Sequence, residues 1–309
     1  MIAQPANGRG ANLDGRQNMT GANVTFIHMT DLHINTAGAE DDHLFSDTTG
    51  TLERTLADIK KMNPQPTFIV ASGDLTNHGN PDGYSVLRRM MADVGMPVIY
   101  TLGNHDDRAG FAQVFSDLHS DPTAPYDTEA VFSGLHVIAI DSSVTGEIGG
   151  RWEDGQLDWL KGRLNAHPEL PKLLVMHHAP MLDLENKAME WESLSAQSTE
   201  SLREAIEGHD VIGILAGHIH LDRATNWHGV PVFVGQGHHA GSDPLDLTTG
   251  LSMLDGTGFG IGTYRPSGLT MTYVPHPQTR ALRHRIDFEQ MRQYLEQAAA
   301  EKAAAEAAE

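Results

Sequence analysis

Cysteine is absent from the 309-residue chain. That removes disulfide staples, thiolate metal sites and thiol nucleophiles together, and it fits a reducing compartment such as the cytoplasm. Positive charge is scarce: 21 Lys and Arg stand against 41 Asp and Glu, a formal net charge of −20. A surface this acidic repels polyanions and argues against a nucleic-acid polymer as partner. No apolar run approaches the roughly 18 residues that a membrane span needs. Residues 1–22, rich in Gly, Asn and Ala, lack the apolar stretch of a secretory signal and read as a disordered leader, with Met19 as an alternative start. What the chain has in excess is histidine, with 18 residues. Histidine is the commonest metal ligand and a frequent acid–base group, so the chemistry is to be sought around it.

From Val24 onward, short apolar runs end in polar, Gly-rich turns, with helical periodicities between them. Val24–Met29, Thr67–Ala71, Pro97–Leu102, Leu135–Ile140, Leu173–Met176 and Val211–Leu215 read as strands. Leu52, Leu56 and Ile59 share one helical face; Pro81 suits the first turn of a helix carrying Tyr84, Leu87 and Met91. Asp154 is placed to cap a helix with Leu157, Leu160 and Leu164, and another helix carries Leu202 and Ile206. Val230–Val234, Gly258–Tyr264 and Leu269–Val274 follow as strands, which adds a mixed sheet or a second packed sheet to an α/β core covered by helices. One domain over residues 23–280 is expected. Residues 281–309, ending in Ala- and Glu-rich sequence, read as a helical or disordered tail, a coiled-coil contact being the other reading.

Five polar clusters follow directly on apolar strands: Asp31 and His33; Gly73 and Asp74; Gly103, Asn104, His105 and Asp106; His177 and His178; Gly217, His218 and His220. In open α/β sheets ligands gather at the carboxyl ends of strands. Each cluster alone is weak, since turns are rich in such dipeptides. Asp-x-His and His-x-His have more content, because alternation puts both side chains on one face. From these clusters a set of two carboxylates, one amide oxygen and four imidazoles can be drawn, too many donors for one tetrahedral ion but suited to two ions sharing a carboxylate. Paired ions about 3.5–4 Å apart suit in-line displacement at phosphorus, and a cationic hole in an acidic protein attracts a small anion.

The ordered blocks D-x-H, GD, GNHD, H-x-x-P and GH-x-H, from Asp31 to His220, resemble the calcineurin-like metallophosphoesterase superfamily. The resemblance implies a two-sheet β-sandwich flanked by helices, an αββα fold, with two metal ions drawn from Mn, Fe, Zn or Co. It implies that Asp31, His33 and His220 hold one ion, that Asn104, His177 and His218 hold the other, and that Asp74 bridges them. His105 resembles the family's non-ligand catalytic histidine, and Asp106, with Asp107 beside it, is expected to orient it.

The stretches GDLTNHGNPDGY, GNHDDR, the DSS after LHVIAI, GQLDWL and GHIH are most similar to the bacterial class III cyclic-nucleotide phosphodiesterase and glycerophosphodiesterase subfamily. That implies hydrolysis of small phosphodiesters (cyclic nucleotides, glycerophosphodiesters or lipid-headgroup diesters) by a metal-bound hydroxide, often in a homo-oligomer. Phosphomonoester hydrolysis on the same metals is the alternative, and an inactive metal-binding scaffold the alternative of another class. Substrate contacts are expected from Asn104, His105, Arg108 and His239. Arg108 could equally be a solvated surface residue, and the GQGHHAGSD loop carrying His238 and His239 could simply face solvent. Asn77 and His78 either touch substrate or only shape a turn. The family's HHPP is here HHAP, and Ala179 is expected to reshape the pocket wall.

Overall fold

In the first strand alternate residues serve opposite cores: Val24 and Phe26 face one apolar cluster, Ile27 and Met29 another. The computed structural model in which this is seen describes residues 23–306, apart from 37, 39–40, 42–43 and 246–249. The leader and its alternative start lie outside the described residues. β1 (Val24–Met29) runs parallel to β2 (Phe68–Ser72), and β2 parallel to β3 (Val98–Thr101). On the other side β1 pairs antiparallel with β12 (Gly258–Arg265), which forms a hairpin with β13 (Gly268–Pro275), giving the five-stranded order β13-β12-β1-β2-β3.

A second sheet of six strands has the order β4-β5-β6-β7-β9-β8. It comprises β4 (Thr128–Phe132), β5 (Leu135–Ala139), β6 (Lys172–Val175), β7 (Val211–Ala216), β8 (Arg223–Trp227) and β9 (Val230–Val234). Its alternation matches the first: Leu135, Val137, Leu173, Val175 and Leu215 meet Val24, Phe26, Phe68 and Val70 between the sheets. Phe68 stacks there on Phe26 and on Phe132, with ring centroids 5.1 and 4.3 Å apart. The outer face of the first sheet is covered by α1 (Thr48–Lys61), α2 (Pro81–Met91) and α3 (Arg108–Val114). That of the second is covered by α4 (Gln156–Ala166) and α5 (Ala196–Ile206). The layers are therefore α, β, β, α, as the resemblance implies.

Helix starts follow local chemistry. The Asp47 carboxylate accepts from Gly50 N at 2.8 Å, and Asn80 caps α2 with Pro81 in its first turn. Asp154 is not a cap: α4 begins after Gly155 without a side-chain cap, and Gln156 Oε1 accepts from Glu153 N instead.

Past residue 280 the chain continues as a strand and a helix. A small third sheet joins β10 (Gly241–Ser242), β11 (Gly250–Leu254) and β14 (Leu282–Asp287), and α6 (Phe288–Glu306) follows. β14 is mostly exposed and charged, so its strand character comes from backbone pairing with β11 and not from an apolar pattern. Among the described residues no helix is long and apolar enough to cross a membrane.

Candidate functional site

The parallel strands β1, β2, β3, β6 and β7 all end on one edge of the sandwich, and the chain leaves each through a sharp turn. Asp31, His33, Asp74, His218 and His220 are five non-glycine residues there with positive φ, between 43° and 74°. Such backbones cost about 1–3 kcal/mol each and persist only where neighbours enforce them. The neighbours are one another's loops: Asp31 N donates to Gly73 O, His33 N to Asp74 O, and His218 N to Asp31 Oδ1 at 3.1 Å. Glycine permits the close approach, because a Cβ on Gly103 would collide with Asp74 Oδ1 and one on Gly217 with Thr30 Oγ1.

This braid brings the two carboxylates and the imidazoles together. His220 Nε2 lies 3.3 Å from Asp31 Oδ1, and His33 Nε2 3.4 Å from His220 Nε2. Asp74 Oδ2 sits between two rings, 3.6 Å from His33 Nε2 and 3.3 Å from His177 Nε2. The far nitrogen of each ring is anchored. His33 Nδ1 donates to Asn77 Oδ1, His177 Nδ1 to Ser72 O and His220 Nδ1 to Ala240 O, all at 2.8–2.9 Å. His218 is reversed, donating from Nε2 to Trp191 O at 2.7 Å, so its Nδ1 is the free nitrogen. Three rings thus offer Nε2 and one offers Nδ1, each in a tautomer set by a carbonyl or amide oxygen.

Electrostatics favour a cation in this cluster. Burial pushes the Asp31 carboxyl up, but His220 and His177 outweigh it and hold it well below the carboxylate range. Asp74 is likewise held low against its burial, chiefly by His177 and His105. His177 rises to about 9, because Asp74 and Asp31 overcome its burial. His33 is driven well below its ordinary value and His218 down to about 4, both mainly by burial, which leaves neutral rings with a lone pair to give. Asn104 Oδ1 and His177 Nε2 are buried with no hydrogen-bond partner. Asp31, His33, Asp74 and His220 place ligand atoms within 4.8 Å of one another, as do His177, His178 and His218. Oxygen and imidazole donors, orphaned atoms and anionic carboxylates fit divalent metal.

The remaining expected residues divide. His105 N donates to Asp74 Oδ1 at 2.9 Å, and its Nδ1 donates to the backbone oxygen of Asn77 at 3.0 Å. That carbonyl orients the ring. The expectation that Asp106 does so is corrected: its carboxylate accepts from Gly103 N, Leu75 N, Thr76 N and Tyr84 Oη, tying two site loops together. Burial, then Asp74, pushes Asp106 up to about 7. Asp107 caps α3 through Gly110 N.

Arg108 is also corrected. Its guanidinium is buried against Asp141 and Glu153, both at 2.9 Å, and donates to Ser143 O; it is not among the residues lining the cavity that holds the aspartate–histidine cluster. Ala179 packs in the outer core and not in the cavity wall.

His238 and His239 do not face solvent. His238 is buried against Thr55, and His239 Nε2 accepts from Phe45 N while its ring lies 4.8 Å from that of His33. Asn77 bonds His33, and the exposed His78 bonds Asp41.

Sequence reasoning missed the apolar lining, which includes Phe45, Trp191, Leu251, Met253, Ile286 and Met291 in a cavity of about 380 Å³. These residues carry no motif, and strands paired by backbone alone leave little periodic signal.

Residues 24–222 match the calcineurin-like phosphoesterase family. The chain is 35% identical to a probable cyclic nucleotide phosphodiesterase of Rhodococcus erythropolis, over 67% of this chain and 68% of the relative. It is 30% identical to a cAMP/cGMP dual specificity phosphodiesterase of Mycobacterium tuberculosis, over 67% of this chain and 65% of the relative. The chain thus spans about two thirds of the length of these relatives. Its fold is that of a dimetal phosphatase from Danio rerio, with a TM-score of 0.60 at 13% identity over 86% of this chain and 99% of that one. The strand-end cluster, its coverage by one family and the shared sandwich together place this chain in the calcineurin-like phosphoesterase family.

Proposed function

We propose that the protein is a metal-dependent phosphodiesterase acting on small diesters, cyclic nucleotides first among them and glycerophosphodiesters or lipid-headgroup diesters next. The observation that carries this is the seat of Asp74 Oδ2 between His33 Nε2 and His177 Nε2, which puts one carboxylate between two sets of donors. In this reading Asp31, His33 and His220 form one set, Asn104, His177 and His218 the other, and Asp74 serves both. Two ions of Mn, Fe, Zn or Co type held there would supply Lewis acidity and lower the pKa of the attacking water.

The chain's own residues do the rest. Asn104 binds a phosphoryl oxygen. His105, anchored through Nδ1–H, presents Nε2 to the departing ester oxygen and, in its doubly protonated form, gives up the Nε2 proton to the alkoxide, leaving the neutral Nδ1–H ring. The fixed tautomers hold the donors ready without reorganisation during the reaction. The small-diester reading also suits the net charge of −20, which repels polyanions while the site attracts one small anion.

Hydrolysis of bis(p-nitrophenyl) phosphate against p-nitrophenyl phosphate by the Mn²⁺-reloaded protein tests the reading, since both release the same leaving group. A higher kcat/KM for the diester is expected. A monoester preference would turn the reading to a phosphomonoesterase, and no turnover with any of the four metals would leave a binding scaffold.

A further inference from the structure

The cavity that holds the aspartate–histidine cluster is lined in part by chain that lies beyond the family match at residues 24–222. In β11 and β14 the cross-strand pairs Leu251–Ile286 and Met253–His284 alternate with Ser252–Arg285. Side chains two apart share a face, and Leu251, Met253, His284 and Ile286 all line the cavity, whereas Arg285 donates to Ser252 Oγ at 2.8 Å. Met291 of α6 extends this lining. A ring shelf joins it to the aspartate–histidine cluster: Phe45 stacks on His284 at 4.9 Å and 14°, and on His239 at 5.2 Å and 15°, while His239 lies 4.8 Å from His33. Glu192, Arg223 and Ser242 are further polar lining.

A phosphodiester whose phosphorus sits at the cluster must lay an ester arm somewhere in this cavity. The geometry points to the face made by Leu251, Met253, Ile286 and Met291, with Phe45 as shelf, as a specificity subsite. It would favour diesters with a ring-bearing or otherwise apolar ester arm over those with a small polyol arm. The apolar arm gains by leaving water. A glycerol arm laid on that face would leave its hydroxyls against Leu251, Met253, Ile286 and Met291, which cannot bond them, and that costs more than a missing contact. The inference rests on the phosphodiesterase reading and narrows it.

The test uses two alkyl p-nitrophenyl phosphates with a common leaving group, one bearing a 2-phenylethyl arm and the other a 2,3-dihydroxypropyl arm. The metal-loaded full chain is expected to prefer the 2-phenylethyl diester in kcat/KM by about tenfold or more. Ile286→Thr and, separately, Met291→Gln should each cut that ratio several-fold. Met291 lies on the last helix, so its variant keeps the test alive if Ile286→Thr does not fold. Equal kcat/KM for the two arms, or a ratio unmoved by Met291→Gln in a folded enzyme, overturns the subsite and leaves the phosphodiesterase reading standing. Failure to hydrolyse either diester overturns both.

Discussion

His33 Nδ1 and Asn77 Oδ1 lie 2.9 Å apart, and this contact decides which nitrogen His33 offers to the aspartates. Asn77 is itself held, since its Nδ2 donates to Asp41 Oδ2 at 2.7 Å and so turns Oδ1 toward the ring. A leucine at 77 fills similar space but accepts nothing, leaving His33 free to rotate or change tautomer. Losing such an orienting partner costs about 10–100-fold in metal affinity or activity. Asn77→Leu is expected to weaken Mn²⁺ binding by that factor in calorimetric titration of the metal-stripped protein, with the folded circular dichroism spectrum retained. Unchanged affinity would make Asn77 a turn residue only.

His105 Nδ1 donates to the backbone oxygen of Asn77, and His105 is not one of the residues whose ligand atoms gather around Asp31 and Asp74. Its removal is expected to spare the donors and to act on the leaving group. His105→Ala should retain bound metal, as read by elemental analysis, and should lose about 10²–10⁴ in rate on an alkyl diester that needs a protonated leaving oxygen. The loss should be much smaller with nitrophenolate, which departs unaided. Equal losses on both substrates would assign His105 to phosphate binding instead.

Arg108 ties three parts of the chain together through Asp141, Glu153 and Ser143 O. Asp141 is fully buried, and Arg108 is its cationic partner. Removing one member of a buried pair strands the other and costs about 3–5 kcal/mol. Arg108→Ala is expected to lose roughly that much stability in urea unfolding, while KM for bis(p-nitrophenyl) phosphate stays near its original value. A raised KM in a protein of unchanged stability would return Arg108 to the substrate side.

The contrast between His33 and Arg108 shows what the sequence discloses. His33, Asp74 and His220 follow apolar strands in parallel layers, so their shared edge can be deduced from order and spacing alone. Arg108 follows the same motif, yet α3 begins there, and its guanidinium finds Asp141 beyond β5 and Glu153 before α4. Side-chain direction of that kind depends on packing between elements distant in sequence. His105 and Asp106 make the point again: adjacency suggested a pair, but the backbone turns the carboxylate toward Leu75 N and Thr76 N. β14 was hidden for a different reason, since a strand of alternating charge satisfies its backbone on β11 without burying an apolar face.

Asp127 is one source of pH dependence away from the aspartate–histidine cluster. Its Oδ1 accepts from Asp141 N and Gln156 Nε2, both at 2.9 Å, and burial pushes the carboxyl up to about 6. A carboxyl raised on folding binds a proton that the unfolded chain, with its value near 4, has already released. Its favourable contribution is therefore present below about pH 4 and is lost as pH rises through 6. Asparagine keeps an acceptor oxygen for both bonds and has no charge to bury. Asp127→Asn is expected to be more stable than the original chain by about 1–2 kcal/mol at pH 7.5, a gap that shrinks as pH falls toward 4. Urea unfolding of both proteins across that range checks it. A gap that stays constant with pH would mean that the Asp127 carboxyl titrates alike in the folded and unfolded chains.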